Sequence, residues 1–266
     1  MNLSSEFISI DRESRTLATP EPESKIKKLF FDNYDLIVAK SAKQKQLAYE
    51  VRYKVYCEEK RFERASCFPS KMEMDEFDEH SEHFIVIEKH TGNAVGTVRL
   101  VFPQCTSGAG LPLHRYCLHA LDSGMEAFDG LAINQFVEIS RLAVISSNRS
   151  SLRDTLSCED MKKKLARMQC SVVSIVLAYA CLARFQLDGN LRCGYSMMEP
   201  KMAILLGRMG VKFEQIGQMV DYHGLRAPYL YDMLAQEPDE DVTHTDLLMR
   251  VRSTLRGQLG GLRLVE

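Results

Sequence analysis

Eight residues, Val137-Glu138-Ile139-Ser140-Arg141-Leu142-Ala143-Val144, constrain this chain more than any other stretch. They read as a strand in which ionisable and apolar residues alternate before a purely apolar end. A strand this apolar belongs inside a sheet, where burying an unpaired charge costs several kcal/mol or more. Glu138 and Arg141 must therefore be paired or functional. They lie three residues apart, so a regular strand would turn them to opposite faces. Cooperation between them requires a bulge, or a site on both faces. Arg52, Asp75, Asp78 and Arg99 are the upstream candidates for the pairing.

The rest of the chain says what surrounds that strand. At 266 residues it can bury a substantial core as one large or two small domains. A net charge of −2 makes no general case for nucleic-acid binding. The eight cysteines are scattered, with no CxxC pair and no metal-ligand spacing with histidine, which points to a reducing compartment and no metal. Met1 to about Lys28 lacks an apolar signal core, and Pro20 and Pro22 mark it as a loose arm. The most apolar run, Cys170 to Ala183, is about 14 residues, short of the roughly 18 that span a bilayer. A cytoplasmic protein without a transmembrane segment is the expectation, with an arm over 1–28 and a single domain over 29–266 ending in a helical extension.

Along that domain the spacing predicts a strand over 34–40 and a helix from an N-cap at Ser41 to about Lys60. An acidic loop with Glu73, Asp75, Asp78 and Glu79 follows. Thr91-Gly92-Asn93 joins strands 83–88 and 94–101 as a hairpin. After an excursion over 103–132 comes the Glu138 strand, then a Ser/Arg loop over 146–158 and a long helix from Glu159 to about Phe185. A strand over 191–197, a helix opened by Pro200, strands over 211–220 and 228–234, and a helix over 245–256 complete the order. This is a mixed α/β pattern: a hairpin-rich first half, then βαβ units.

The charged positions and the element order together resemble the GNAT acyltransferase superfamily over about residues 34–220. Within it the chain is similar to acyl-homoserine lactone synthases and N-acyl amino acid synthases, and most of all to the acyltransferases associated with exosortase (PEP-CTERM) systems. Arg52 with Tyr56 four residues on matches the autoinducer synthases, as do the acidic pair Asp75 and Asp78, the Gly-x-x-Arg of Gly96 to Arg99, and the Glu-x-Ser-Arg of Glu138 to Arg141. Two departures stand against this. The chain has no Trp, which those synthases usually place after the first helix, so S-adenosylmethionine as amine donor is in doubt. It also lacks the glycine loop with which ordinary GNAT enzymes cradle the coenzyme A pyrophosphate; Ile145 to Arg153 contains no glycine. A single phosphate on the phosphopantetheine of an acyl carrier protein could be held by hydroxyls with Arg149 or Arg153. Lys162, Lys163, Lys164 and Arg167 read either as a basic surface for that acidic carrier or as a solvated helix start.

The resemblance implies a central twisted mixed sheet flanked by helices, with two parallel strands splaying around an acyl-pantetheine thioester as co-substrate and no tightly bound cofactor. Those strands are expected at 134–144 and 191–198, with backbone N–H groups near Leu142, Ala143 and Val144 facing the thioester oxygen. No nucleophile is needed, because the amine attacks directly. Glu138 is the candidate base, or else a salt-bridge partner of Arg99 or Arg141. Arg52, Asp75 and Asp78 would order the acceptor; Arg99 and Arg141 read equally as structural pairs. The Met197-Met198 pair with Met202, Met209 and Met219 lines an acyl tunnel or fills core. His80, His83 and His90 read as surface or loop histidines. The function implied is transfer of a fatty acyl group from an acyl carrier protein, or from acyl-CoA, to a small amine such as an amino acid. The alternatives are an acyl-homoserine lactone synthase using S-adenosylmethionine, and an acyl-carrier-binding module without chemistry.

Overall fold

The computed structural model describes residues 25–106, 110–122, 130–146, 159–208, 210–235 and 242–260; side chains are not described at 25–26, 159–171 and 242–245. The helices are α1 (Lys25–Asn33), α2 (Ala42–Tyr53), α3 (Pro112–Tyr116), α4 (Glu159–Leu187), α5 (Pro200–Gly207) and α6 (Val242–Leu259). The strands are β1 (Tyr34–Val38), β2 (Ser81–Glu88), β3 (Ala94–Val101), β4 (Phe136–Val144), β5 (Cys193–Met198), β6 (Glu214–Gln215), β7 (Val220–Asp221) and β8 (Leu225–Asp232). They form one mixed sheet in the order β1-β2-β3-β4-β5-β8-β6, with β7 paired to β8. All pairings are antiparallel except β4 with β5.

Period-two alternation assigns the two faces. Phe84 and Val86 of β2, with Leu36 and Val38 of β1, pack into the larger core under α4. Ile85 points the other way and joins Ala48 and Tyr49 of α2. β3 does the same: Val98 and Leu100 enter the α4 side, while Arg99 is left on the opposite face. At Gly96 α4 packs tightly on the sheet, because an added Cβ would sit 2.7 Å from Val173 Cγ1. α6 packs along α4 and β1, burying Leu247, Val251 and Leu255.

Several expectations are refined. Ser41 does cap α2, in a reciprocal box with Gln44. The helical run then changes pitch, and Lys54–Glu59 is a π-helix. A helix begins at Lys25 and buries Phe30 completely in the α4-side core. The strand expected over 211–220 is broken. Glu214 and Gln215 pair with β8, the chain then leaves the sheet to bridge Gly217 to Leu121, and Val220 and Asp221 return to pair with the start of β8. The last strand runs earlier than expected, over 225–232.

Candidate active site

β4 does carry a bulge. Thr97 pairs with Ala143 and Arg99 with Ser140, so Val98 alone faces both Arg141 and Leu142. Arg141 absorbs the extra residue with φ at +53°, a left-handed conformation few side chains adopt. The shift lets Glu138, Ser140 and Arg141 all serve the α2 side of the sheet. A local kink thus resolves the three-residue spacing.

On that side lies an ion network. Arg52 of α2 is fully buried; its Nε donates to Glu73 and its Nη1 to Asp78 Oδ1 at 2.6 Å. Arg99 Nη1 donates to the same Asp78 oxygen at 2.8 Å and to Asp75 Oδ1 at 2.5 Å, and its Nε to Ser140 Oγ at 3.1 Å. Arg141 Nη2 lies 3.2 Å from Glu73 Oε1 and 3.3 Å from Asp75 Oδ2. Three guanidinium groups thus meet three carboxylates, which is how so many charges tolerate burial. Asp75 and Asp78 also close a capping box on the short 3-10 helix Glu76–His80, which fixes both side chains. Burial alone would raise the Asp78 carboxyl, but Arg52 and Arg99 hold it well below its ordinary range.

Beside this network the parallel seam opens. β4 and β5 pair only at Phe136 with Cys193, Val137 with Gly194 and Glu138 with Tyr195. Beyond Glu138 the ladder stops, and a cavity of about 540 Å³ lies between the strands. That volume is within the roughly 300–1,000 Å³ of small-molecule sites. One end is apolar, walled by Ala178, Cys181, Leu182, Met202, Leu206 and Phe213. The other is polar and aromatic, with Tyr56, Phe62, Glu138, Arg141, Tyr222 and Arg226.

Glu138 sits at the fork with 2 % of its surface exposed. Its Oε2 accepts the Leu113 N–H at 2.7 Å, at the first turn of α3. Burial pushes its carboxyl up to about 7, against the opposing pull of that N–H and of Arg99 and Arg141. A carboxylate poised there exchanges protons readily near neutrality. Arg141 lies over the Tyr56 ring at 5.6 Å, and Tyr56 donates its hydroxyl to the Leu142 carbonyl at 2.9 Å. The π-helix, a feature frequent at functional sites, therefore ties α2 to the open edge of β4.

The residues singled out from the sequence thus fall into two layers. Glu138, Arg141, Leu142 and Val144 line the cavity. Arg52, Asp78 and Arg99 stand behind its wall, with Asp75, about 20 % exposed, joining them to Arg141. Ala143 turns away and packs with Val51 and Val55. Met197, Met198 and Met202 line the cavity, whereas Met219 is about half exposed. Arg149, Arg153 and Met209 lie outside the described residues, as do the side chains of Lys162, Lys163, Lys164 and Arg167. At the start of the loop after β4, Glu59 accepts the Ser146 N–H at 3.1 Å.

Some residues escape a reading of the sequence. Glu73 looks like one of many loop acids, yet it is buried and bridges Arg52 to Arg141. Phe62, Tyr222 and Arg226 come from separate segments and carry no motif. His83 is a correction: it is fully buried, edge-on to Tyr49 at 5.5 Å. Desolvation lowers it to about 3, so it is neutral beside the network. Among the described residues no group of three or more His, Cys, Asp or Glu could hold a metal.

Residues 51–157 match the model of the acetyltransferase (GNAT) domain. The chain has the GNAT fold. It superposes on the structure of BjaI, a CoA-dependent acyl-homoserine lactone synthase, with MTA, at a TM-score of 0.52 and 16 % identity, covering 82 % of this chain and 89 % of that one. MesI, another CoA-dependent acyl-homoserine lactone synthase, gives 0.51 at 19 % identity over 83 % and 95 % of the two chains. TofI, in a ternary complex with an inhibitor and MTA, gives 0.51 at 19 % over 80 % and 96 %. At such identities the likeness establishes the fold alone. No protein of curated function matches the sequence. In this GNAT fold the fork, the bulge and the carboxylate belong to one continuous opening. No helix among the described residues is long and apolar enough to cross a membrane.

Proposed function

We propose that the protein is an N-acyltransferase that moves a fatty acyl group from a phosphopantetheine thioester to the amine of a small molecule such as an amino acid. The observation that carries this is the end of β4–β5 pairing at Glu138, with the cavity opening there and Glu138 on its wall. An acyl-pantetheine arm has the amides to run along the open edge of β4 as an added strand would. Its acyl chain then has the apolar end of the cavity, and its thioester lies near the bulge. N–H groups of the Leu142 to Val144 segment stabilise the oxyanion. Glu138 takes the proton as the amine attacks the carbonyl carbon, the C–N bond forms and the tetrahedral intermediate collapses. The C–S bond breaks and the thiolate leaves with a proton. The network of Arg52, Asp78 and Arg99 holds Asp75 and Arg141 in place rather than touching the acceptor.

The donor is an acyl carrier protein thioester or acyl-CoA. The glycine-free segment after β4 favours the carrier protein, with Arg149 or Arg153 on its phosphate and the basic start of α4 as its dock. Thiol release from each donor, followed with a thiol-reactive dye across an amine panel, tests the reading. Release that depends on the amine, with an N-acyl product by mass spectrometry, is the expected result. No release from either donor with any amine, despite donor binding, would favour the binding-module alternative.

A second reading has its own support. Tyr56, Phe62 and Tyr222 give the polar end aromatic faces, which suit a sulfonium cation despite the absence of Trp. An acyl-homoserine lactone formed from S-adenosylmethionine would establish it.

A further inference from the structure

Of the basic side chains on the cavity wall, Lys60 and Lys201 are exposed, whereas Arg141, His223 and Arg226 are partly buried. Arg141 is held by Glu73 and Asp75, and His223 lies 3.4 Å from Glu63. Arg226 has no carboxylate within ion-pair distance among the described residues, and its Nε is buried without a hydrogen-bond partner. Its guanidinium lies over the Phe62 ring at 5.9 Å, which orients the plane but satisfies no N–H. β8 holds its backbone: the Arg226 position pairs with Val220, and the next residue, Ala227, with Met198 beside the open seam. The turn between β7 and β8 carries left-handed His223 and Gly224 and brings Tyr222 and His223 to the same wall. A buried guanidinium N–H without an acceptor costs free energy unless a ligand supplies one, and a planar anion suits the arginine fork.

The position says what that anion belongs to. Arg226 and Glu138 line the same cavity. Both belong to its polar, aromatic end: Arg226 lies over Phe62, Phe62 stacks on Tyr56, and Arg141, three residues along β4 from Glu138, lies over Tyr56. That end offers a cation for a carboxylate and a carboxylate for an amine, the two groups an α-amino acid carries on one carbon. We infer that Arg226 holds the carboxylate of an α-amino acid acceptor and thereby turns its amine toward Glu138. This rests on the N-acyltransferase reading and names the residue that would select amino acids over plain amines.

The experiment compares each amino acid with its decarboxylated amine, tyrosine against tyramine and leucine against isopentylamine, as acyl acceptors for the full chain. The readout is the ratio of kcat/KM within each pair, so any misfolded fraction cancels. Wild type is expected to favour the acid. In Arg226→Gln that ratio falls by about tenfold to a hundredfold, the range of a hydrogen bond to a charged group, through KM for the acid. Arg226→Lys keeps the charge without the fork and restores part of it. An unchanged ratio in Arg226→Gln, or a rise in KM for the thioester donor instead, overturns the inference and leaves the acyltransferase reading standing. If the wild type acylates no amine, that reading fails. Calorimetry with N-dodecanoyl-tyrosine and N-dodecanoyl-tyramine then decides the site by itself: an acid preference lost in Arg226→Gln supports it, whereas equal binding, or none, overturns it.

Discussion

Replacing Glu138 with Gln separates the energetics of the fork from its chemistry. The Glu138 carboxyl is pushed up to about 7 from an ordinary 4.5. The unfolded chain therefore gives up its proton first as pH rises, and the native state loses stability across that window. Between pH 5 and 8.5 the loss comes to about 2.5 kcal/mol at about 1.4 kcal/mol per decade. Gln keeps the shape but has no charge to bury, so Glu138→Gln escapes the loss. For a large domain that is worth roughly 5–10 °C in Tm. The assay is differential scanning calorimetry of both proteins at pH 5 and pH 8.5. The advantage of the variant is expected to grow with pH, while its acyl transfer falls by two or more orders of magnitude, about the contribution of a general base. Wild-type kcat/KM is expected to rise with pH through about 7 as Glu138 ionises. A stability difference that does not change with pH would refute the burial argument. Full turnover by Glu138→Gln would refute the role as base.

Asp78→Asn leaves Arg52 and Arg99 facing each other without their shared carboxylate. It is expected to lose about 3–5 kcal/mol in urea denaturation at pH 7, the cost of breaking a buried pair. Because the Asp78 carboxyl is held below its ordinary 3.8, its contribution is present above that pH and lost as pH falls through the native value, so the two proteins converge in strong acid. Gly96→Ala drives a methyl group toward Val173 and Leu177 of α4, 2.7 and 3.1 Å away; a loss of about 1–3 kcal/mol is expected, typical of overpacking, and an unchanged midpoint would contradict the close approach. Ala178→Phe fills the apolar end of the cavity, so competition among thioesters of graded length should shift toward shorter chains; an unmoved preference would place the acyl group elsewhere.

The sequence carries the frame of this fold because its strands and helices obey simple periods. The β2–β3 hairpin, the Ser41 cap and the Glu138 strand follow from alternation, turn residues and capping. The three-residue spacing of Glu138 and Arg141 called for either a bulge or a site on both faces, and β4 takes the bulge. Period reading fails where tertiary contacts override it. Val211, Phe213, Gln215 and Gly217 look like one alternating strand, but the bridge to Leu121 pulls the chain away after two pairs. The π-helix at 54–59 has no marker in composition. In the site, Arg52, Asp75, Asp78 and Arg99 were found by resemblance, and only the structure shows most of them behind the wall. Glu73 and Arg226 were invisible because an acid among acids, or one arginine among many, reveals its burial only after folding.

The interrupted seam has a consequence for the protein as a material. Among the described residues, β4 and β5 join the two halves of the sheet over three residue pairs. An extended amide chain lodged in the gap would supply the missing rungs, so occupancy would stiffen the whole sheet and not just its own pocket. A bare fatty acid, however well it greased the apolar end, has no amides with which to do so.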